Sequence, residues 1–148
     1  MNGTLEQTDA GPRLRFERHL PHPPERVWAA ITEPEHLAAW FPNGAFDGEV
    51  LVSEPPSLLE FRWGTDTVRL EVAPDGDGTR LTLFDTIDQL GKAARDAAGW
   101  HACLNNLEQH LDGSESADAM DTWRAVHPGY VDAFGPEAAT IGPPDLTA

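Results

Sequence analysis

Residues 57–85 read SLLEFRWGTDTVRLEVAPDGDGTRLTLFD. Three alternating runs in this stretch, joined by short connections, decide the fold. In "LLEFRWG", Leu59, Phe61 and Trp63 share one face. In "TVRLEVA" (67–73), Val68, Leu70 and Val72 share a face and Arg69 and Glu71 take the other. In "TRLTLFD" (79–85), Leu81 and Leu83 point inward and Arg80 and Thr82 outward. A period of two marks half-buried strands, and "PDGDG" has turn composition. Strands this closely spaced make an antiparallel meander. Glu60, Arg62, Arg69, Glu71 and Arg80 fall on its polar face, where opposite charges can pair across strands.

Upstream, "GEVLVSE" reads as a strand around 48–54. Pro55 and Pro56 cannot donate ladder hydrogen bonds, so they lie in the connection that follows. "RLRFERHL" (13–20) is another strand: Leu14, Phe16 and Leu20 share a face, and Arg18 breaks the pattern on that face. Two short helices come next. Pro24 suits the first turn of one, with Val27, Trp28 and Ile31 on its apolar side. Thr32 and Glu35 have capping-box spacing for the other, which ends near Trp40 and buries Leu37, Trp40 and Phe41.

Downstream, residues 89–111 form a long helix in which Ala93, Ala97, Trp100, Leu104, Leu107 and Leu111 recur at spacings of three and four. Gly113 is placed to cap it. Gly99 inside it costs about 1 kcal/mol relative to Ala, a cost explained if another element packs closely or the helix bends there. In 121–135, Trp123, Val126, Tyr130 and Phe134 share a helical face interrupted by Pro128 and Gly129. The domain reading is a flexible terminus at 1–12, an α+β domain at 13–113, and an extension at 114–148. The extension has a short docked helix near 121–134 and an irregular end.

The chain has 148 residues, enough for one ordinary domain with its own core. Its formal charge is −15, from 25 acids against 10 bases, with no basic stripe. That balance repels phosphate backbones and argues against nucleic acid or an anionic membrane as partner. It serves solubility, or offers an acidic face to a basic protein. One cysteine, Cys103, excludes an internal disulfide and cysteine metal clusters. No apolar run reaches the ~20 residues of a membrane span. The first residues lack a secretory pattern, so a cytoplasmic protein is the expectation.

The order of strand, two short helices, antiparallel meander and long helix resembles the helix-grip fold of the START-like superfamily. Three stretches narrow the resemblance: "HPPERVWAAITEPEHLAAWF", "VLVSEPPSLLEFRW", and "GTRLTLFDT" followed by "AGWHACLNNLEQHL". Together they are similar to the family named for activators of the heat-shock-protein-90 ATPase, over roughly residues 13–112. The resemblance implies a curved antiparallel sheet wrapped around the long C-terminal helix, with a cavity between them. Members of that family usually carry two further strands where this chain has only "PNGAFDG" (42–48), so a sheet shortened by one hairpin is expected. Polyketide cyclases and lipid-transfer domains belong to the same superfamily.

The residues that would line such a cavity are Trp40, Phe61, Trp63, Leu70, Leu83, Trp100 and Leu104. Phe61 and Trp63 serve equally well as ordinary core packing. Among six histidines, His36 and His101 are the candidates for acid–base work, with Glu108 two turns beyond His101 and Asn105 between. Such a line is more often a solvated flank. No metal-ligating, nucleotide-binding or hydrolase motif is legible, and no cofactor is expected. "PDGDG" lacks the acid a calcium loop needs at its end. Cys103 reads as an inert buried thiol.

The favoured expectation is a noncatalytic domain binding an apolar small molecule between sheet and helix. The alternatives are a protein-interaction or co-chaperone module of the stress response, dimeric through an open sheet edge, and a polyketide cyclase- or aromatase-like enzyme. The enzyme reading requires a histidine or acid inside the cavity.

Overall fold

The computed structural model describes residues 3–41 and 48–141. The elements in chain order are β1 (Thr4–Thr8), β2 (Gly11–Leu20), α1 (Pro24–Thr32), α2 (Pro34–Trp40), β3 (Val50–Glu54), β4 (Leu58–Trp63), β5 (Asp66–Asp75) and β6 (Gly78–Thr86). They are followed by α3 (Ala93–Asp112) and α4 (Ala119–Phe134), with single 3-10 turns at Leu90–Lys92 and Pro136–Ala139. The six strands form one antiparallel sheet in the order β1-β2-β6-β5-β4-β3. This is the α+β helix-grip architecture expected from the sequence. The shortened connection at 42–48 lies, apart from Gly48, outside the described residues.

Alternation holds along the strands. Leu14, Phe16 and Leu20 on β2, Leu59 and Phe61 on β4, Val68, Leu70 and Val72 on β5, and Leu81 and Leu83 on β6 are buried. They join Ala97, Trp100, Leu104, Leu107 and Leu111 of α3 in one core. On the outer face Arg69 bonds Glu71 at 2.7 Å and Glu60 at 3.1 Å. These exposed pairs contribute little stability each and mainly keep the face soluble. Pro55 and Pro56 form the turn between β3 and β4, joined by a cis peptide bond.

Four local expectations need correction. Residues 4–8, placed in a flexible terminus, are an edge strand paired in register with 11–15. The segment carries one apolar side chain, Leu5, so alternation could not reveal it. It is held from above: the Gly3 N–H donates to Tyr130 Oη at 2.8 Å. The capping box does not form. Thr32 ends α1, its Oγ1 donating to the Trp28 carbonyl at 2.7 Å, and Glu33 occupies the N-cap of α2 without a side-chain bond.

The docked helix is longer than its apolar spacing suggests. It runs sixteen residues, Ala119–Phe134, through Pro128, and is capped by Asp118, whose carboxylate accepts from the Met120 and Asp121 amides. A proline inside a helix loses one backbone bond. Here Trp123 and Tyr130 anchor the helix by burial, and Trp123 Nε1 donates to the Arg95 carbonyl. Residues 136–141 dock as well, since Ala138 is buried and the Ile141 amide donates to the Gly91 carbonyl. A Cβ on Gly91 would lie 2.1 Å from Thr140 Oγ1, so this contact needs glycine.

Gly113 caps α3 in the left-handed region at φ 77, as its position implies. Gly99 is different. A Cβ there would meet nothing within 4 Å among the described residues, so close packing does not account for it. No described helix is long and apolar enough to cross a membrane.

Candidate functional site

The residues expected to line a cavity fall into two groups. Leu70, Leu83 and Leu104 are sealed in the core at 0–1% exposure. Trp40, Phe61, Trp63 and Trp100 instead gather with Phe41 at one end of the sheet–helix interface. Phe41 follows α2 directly, and its ring lies 5.4 Å from Trp40, 5.8 Å from Phe61, 5.6 Å from Trp63 and 6.0 Å from Trp100. Trp63 and Trp100 are 5.1 Å apart and tilted. Such spacings suit edge-to-face and offset packing. Trp63 alone of these is half-buried, so it is the member of the cluster that reaches solvent.

Each buried indole N–H has an acceptor. Trp40 Nε1 donates to the Ala30 carbonyl, and Trp100 Nε1 donates to Asp85 Oδ2, both at 2.8 Å. Asp85 is fully buried. It sits near Asp66, at the start of β5, and Asp96, one turn before Trp100 on α3. One carboxylate oxygen from each of the three lies within 4.8 Å of the others. Burial, then the neighbouring Asp66 charge, holds the Asp85 carboxyl well above the usual range. Burial raises Asp66 and Asp96 as well, with Arg95 opposing the shift at Asp96 through a 2.9 Å bond. This is the chemistry that the reading of the histidines missed. The signal was the parity of the strands: Asp85 follows Leu81 and Leu83, and Asp66 precedes Val68 and Leu70, on the inward face.

The expected acid–base residues separate. His36 Nδ1 lies 2.8 Å from His110 Nε2 and its other nitrogen 3.6 Å from Glu33. His101 bonds Tyr130 on α4 through Nδ1 at 2.8 Å. Tyr130 Oη accepts from Gly3 and still has its proton to give, which a neutral His101 with Nδ1 unprotonated accepts. Burial and then the Arg18 charge push the His101 pKa down to about 4, in keeping with a neutral ring. Glu108 and Asn105 both bind Arg18, at 3.2 and 2.9 Å. The line along α3 is therefore not a solvated flank. It is the lid of a buried arginine, which explains why Arg18 interrupts the apolar face of β2. Glu108 also borders a shallow polar groove with Leu20, Pro21, His22 and Asp112. Cys103 is buried and its thiol is pushed up to about 12, so it is inert.

A curved antiparallel sheet gripping a long C-terminal helix, after two short helices, defines a START-like helix-grip domain. The sequence matches the family described as Activator of Hsp90 ATPase homolog 1-like protein over residues 21–50 and 44–112, and the chain belongs to that family. No curated protein matches the sequence significantly. Among solved structures, CalU16 from Micromonospora echinospora is 21% identical, with a TM-score of 0.72 over 89% of this chain and 95% of its own. The AHSA1-like protein from Aeromonas hydrophila is 20% identical, with a TM-score of 0.62 over 68% of this chain and 92% of its own. DynU16, a protein of the dynemicin biosynthetic locus, is 28% identical, with a TM-score of 0.62 over 72% of this chain and 50% of its own.

Proposed function

We propose that this domain binds an apolar, ring-bearing small molecule against Phe41, Trp63 and Trp100, as a holder rather than a catalyst. The observation that carries the reading is the half-buried Trp63, packed on two buried rings at one end of the sheet–helix interface. Aromatic faces that remain reachable are where an apolar ligand gains most, since ring stacking adds to area burial. The placement of DynU16 in a biosynthetic locus supports a small-molecule context.

Native mass spectrometry of freshly purified protein, paired with a fluorescence titration using an apolar naphthalene-sulfonate dye, tests the reading. The expected result is saturable one-to-one binding that quenches tryptophan emission and weakens about tenfold in Trp63→Ala. A bare mass together with a dye response that does not saturate, or that Trp63→Ala leaves unchanged, overturns it.

A second reading has its own observation. Val50 and Leu51 are 49% and 39% exposed on β3, an edge strand. An apolar open edge suits pairing with another chain, so self-association or a protein partner is the alternative. Sedimentation that depends on concentration in the wild type, and is abolished by Leu51→Lys, would favour it.

A further inference from the structure

We propose that Asp66, Asp85 and Asp96 form a binding site for a hard divalent cation of the calcium type, set behind Trp100. The inference goes beyond small-molecule binding and does not depend on it. Three strands of geometry converge on it. The three carboxylates come from β5, β6 and α3, so the fold itself holds them together, with one oxygen of each within 4.8 Å of the others. Asp85 is fully buried and its Oδ1 has no hydrogen-bond partner, its Oδ2 being occupied by Trp100. Asp66 is 8% exposed, its Oδ1 also receives no donor from another residue, and its carboxyl lies within hydrogen-bond reach of Asp85. Buried polar atoms are normally paired, so two such facing acceptors need a positive charge between them, which a shared proton or a bound cation supplies.

The basic side chains nearby do not fill that role. Lys92 Nζ donates to Asp88 Oδ1 and Thr65 Oγ1, and Arg95 Nε donates to Asp96. With every group ionised, the four acids that act on the cluster (Asp66, Asp85, Asp88, Asp96) face two bases (Lys92, Arg95), which leaves two negative charges. One divalent ion neutralises that excess. The donor set is oxygen alone, without histidine or cysteine, which selects calcium-like ions over zinc or copper.

Trp100 supplies a built-in reporter. Its indole donates to Asp85, so energy absorbed by tryptophan should pass to terbium bound in calcium's place. The full chain, stripped of metal by chelation, is titrated with terbium under tryptophan excitation, and then with calcium as competitor. The expected result is saturable one-to-one sensitised emission that calcium displaces. Asp85→Asn and Asp96→Asn each weaken it by about tenfold or more, and Asp121→Asn, on the exposed start of α4, leaves it unchanged. Calcium at a hundredfold excess over its wild-type dissociation constant should raise the melting temperature of the wild type by about 5 °C or more, and at the same concentration that of Asp96→Asn by about half as much or less. Emission that is absent, or equally strong in Asp85→Asn and Asp121→Asn, overturns the site and assigns the excess charge to protons shared by Asp66 and Asp85. Trp63→Ala, which tests the small-molecule reading, leaves the terbium signal in place, so the two proposals fail separately.

Discussion

Tyr130→Phe isolates the tie between the two ends of the chain. The ring is buried at 3% exposure and packs against Phe16 and Phe134, with centroids 6.3 and 5.4 Å away. Phenylalanine keeps that packing and removes only the hydroxyl. Two hydrogen bonds of 2.8 Å vanish, one from the Gly3 amide and one to His101 Nδ1. A net hydrogen bond contributes about 1 kcal/mol, and a buried donor left without an acceptor costs about 1–3 kcal/mol. Gly3 is buried, so its amide cannot turn to water without moving β1. The expected loss is roughly 2–3 kcal/mol, which at about 2–4 °C per kcal/mol for a chain of this size lowers the melting temperature by roughly 5–10 °C. Thermal and urea unfolding measure the total. Hydrogen exchange separates its source, because the amides of β1 should exchange faster while those of β5 and β6 report only the global change. A loss below about 0.5 kcal/mol with β1 protection intact would refute the reasoning, and would mean that strand pairing alone holds the terminus.

Gly99→Ala should stabilise the protein by about 0.5–1 kcal/mol, since the added methyl meets no neighbour and the helix gains propensity; a lower urea midpoint than wild type would contradict this. Stability should also fall as pH drops from about 6.5 toward 4 through His101. The folded ring, facing Arg18 on β2 and Tyr130 on α4, protonates at about 4, while the unfolded chain takes up the proton near 6.5. The unfolded state thus binds more protons in that window, and the contribution is whole only above it. Asp66, Asp85 and Asp96 have the opposite sign, since their raised pKa values give a contribution present at low pH and lost as pH rises. The test is therefore a difference: the pH slope of the urea midpoint should flatten in His101→Asn relative to wild type, and identical slopes would rule the histidine out.

Much of the fold was legible because its strands are amphipathic on the scale of a few residues. Leu59, Phe61, Val68, Leu70, Leu81 and Leu83 each declare a face, and all six are buried on it. The elements that escaped are those stabilised from outside themselves. β1 has only Leu5 to show, and depends on register with β2 and on Tyr130 far along the chain. α4 was legible near 121–134 from its apolar face, and only its unbroken run through Pro128, which costs about 3 kcal/mol in an isolated helix, rests on burying Trp123 and Tyr130 against distant neighbours. Thr32 had the spacing of a cap and lost it to a nearer acceptor within its own helix.

The site divides along the same line. Aromatic rings on known faces could be assigned to the sheet–helix space from spacing alone, and Trp63 and Trp100 do meet. The charged groups could not be weighed that way, because the cost of a charge depends on partners far away in sequence. Arg18 looked like a flaw in a strand, yet it meets Asn105 and Glu108 some ninety residues on. Asp85 and Asp66 obey the inward parity of strands whose other inward residues are aliphatic, and each keeps an oxygen without a protein donor. Arg18 found a counter-charge in Glu108 through Nη1, while its Nε and Nη2 stay buried without a partner. The buried aspartates, if all ionised, exceed the positive charge of Lys92 and Arg95, and the terbium titration decides whether a shared proton or an external cation answers that excess.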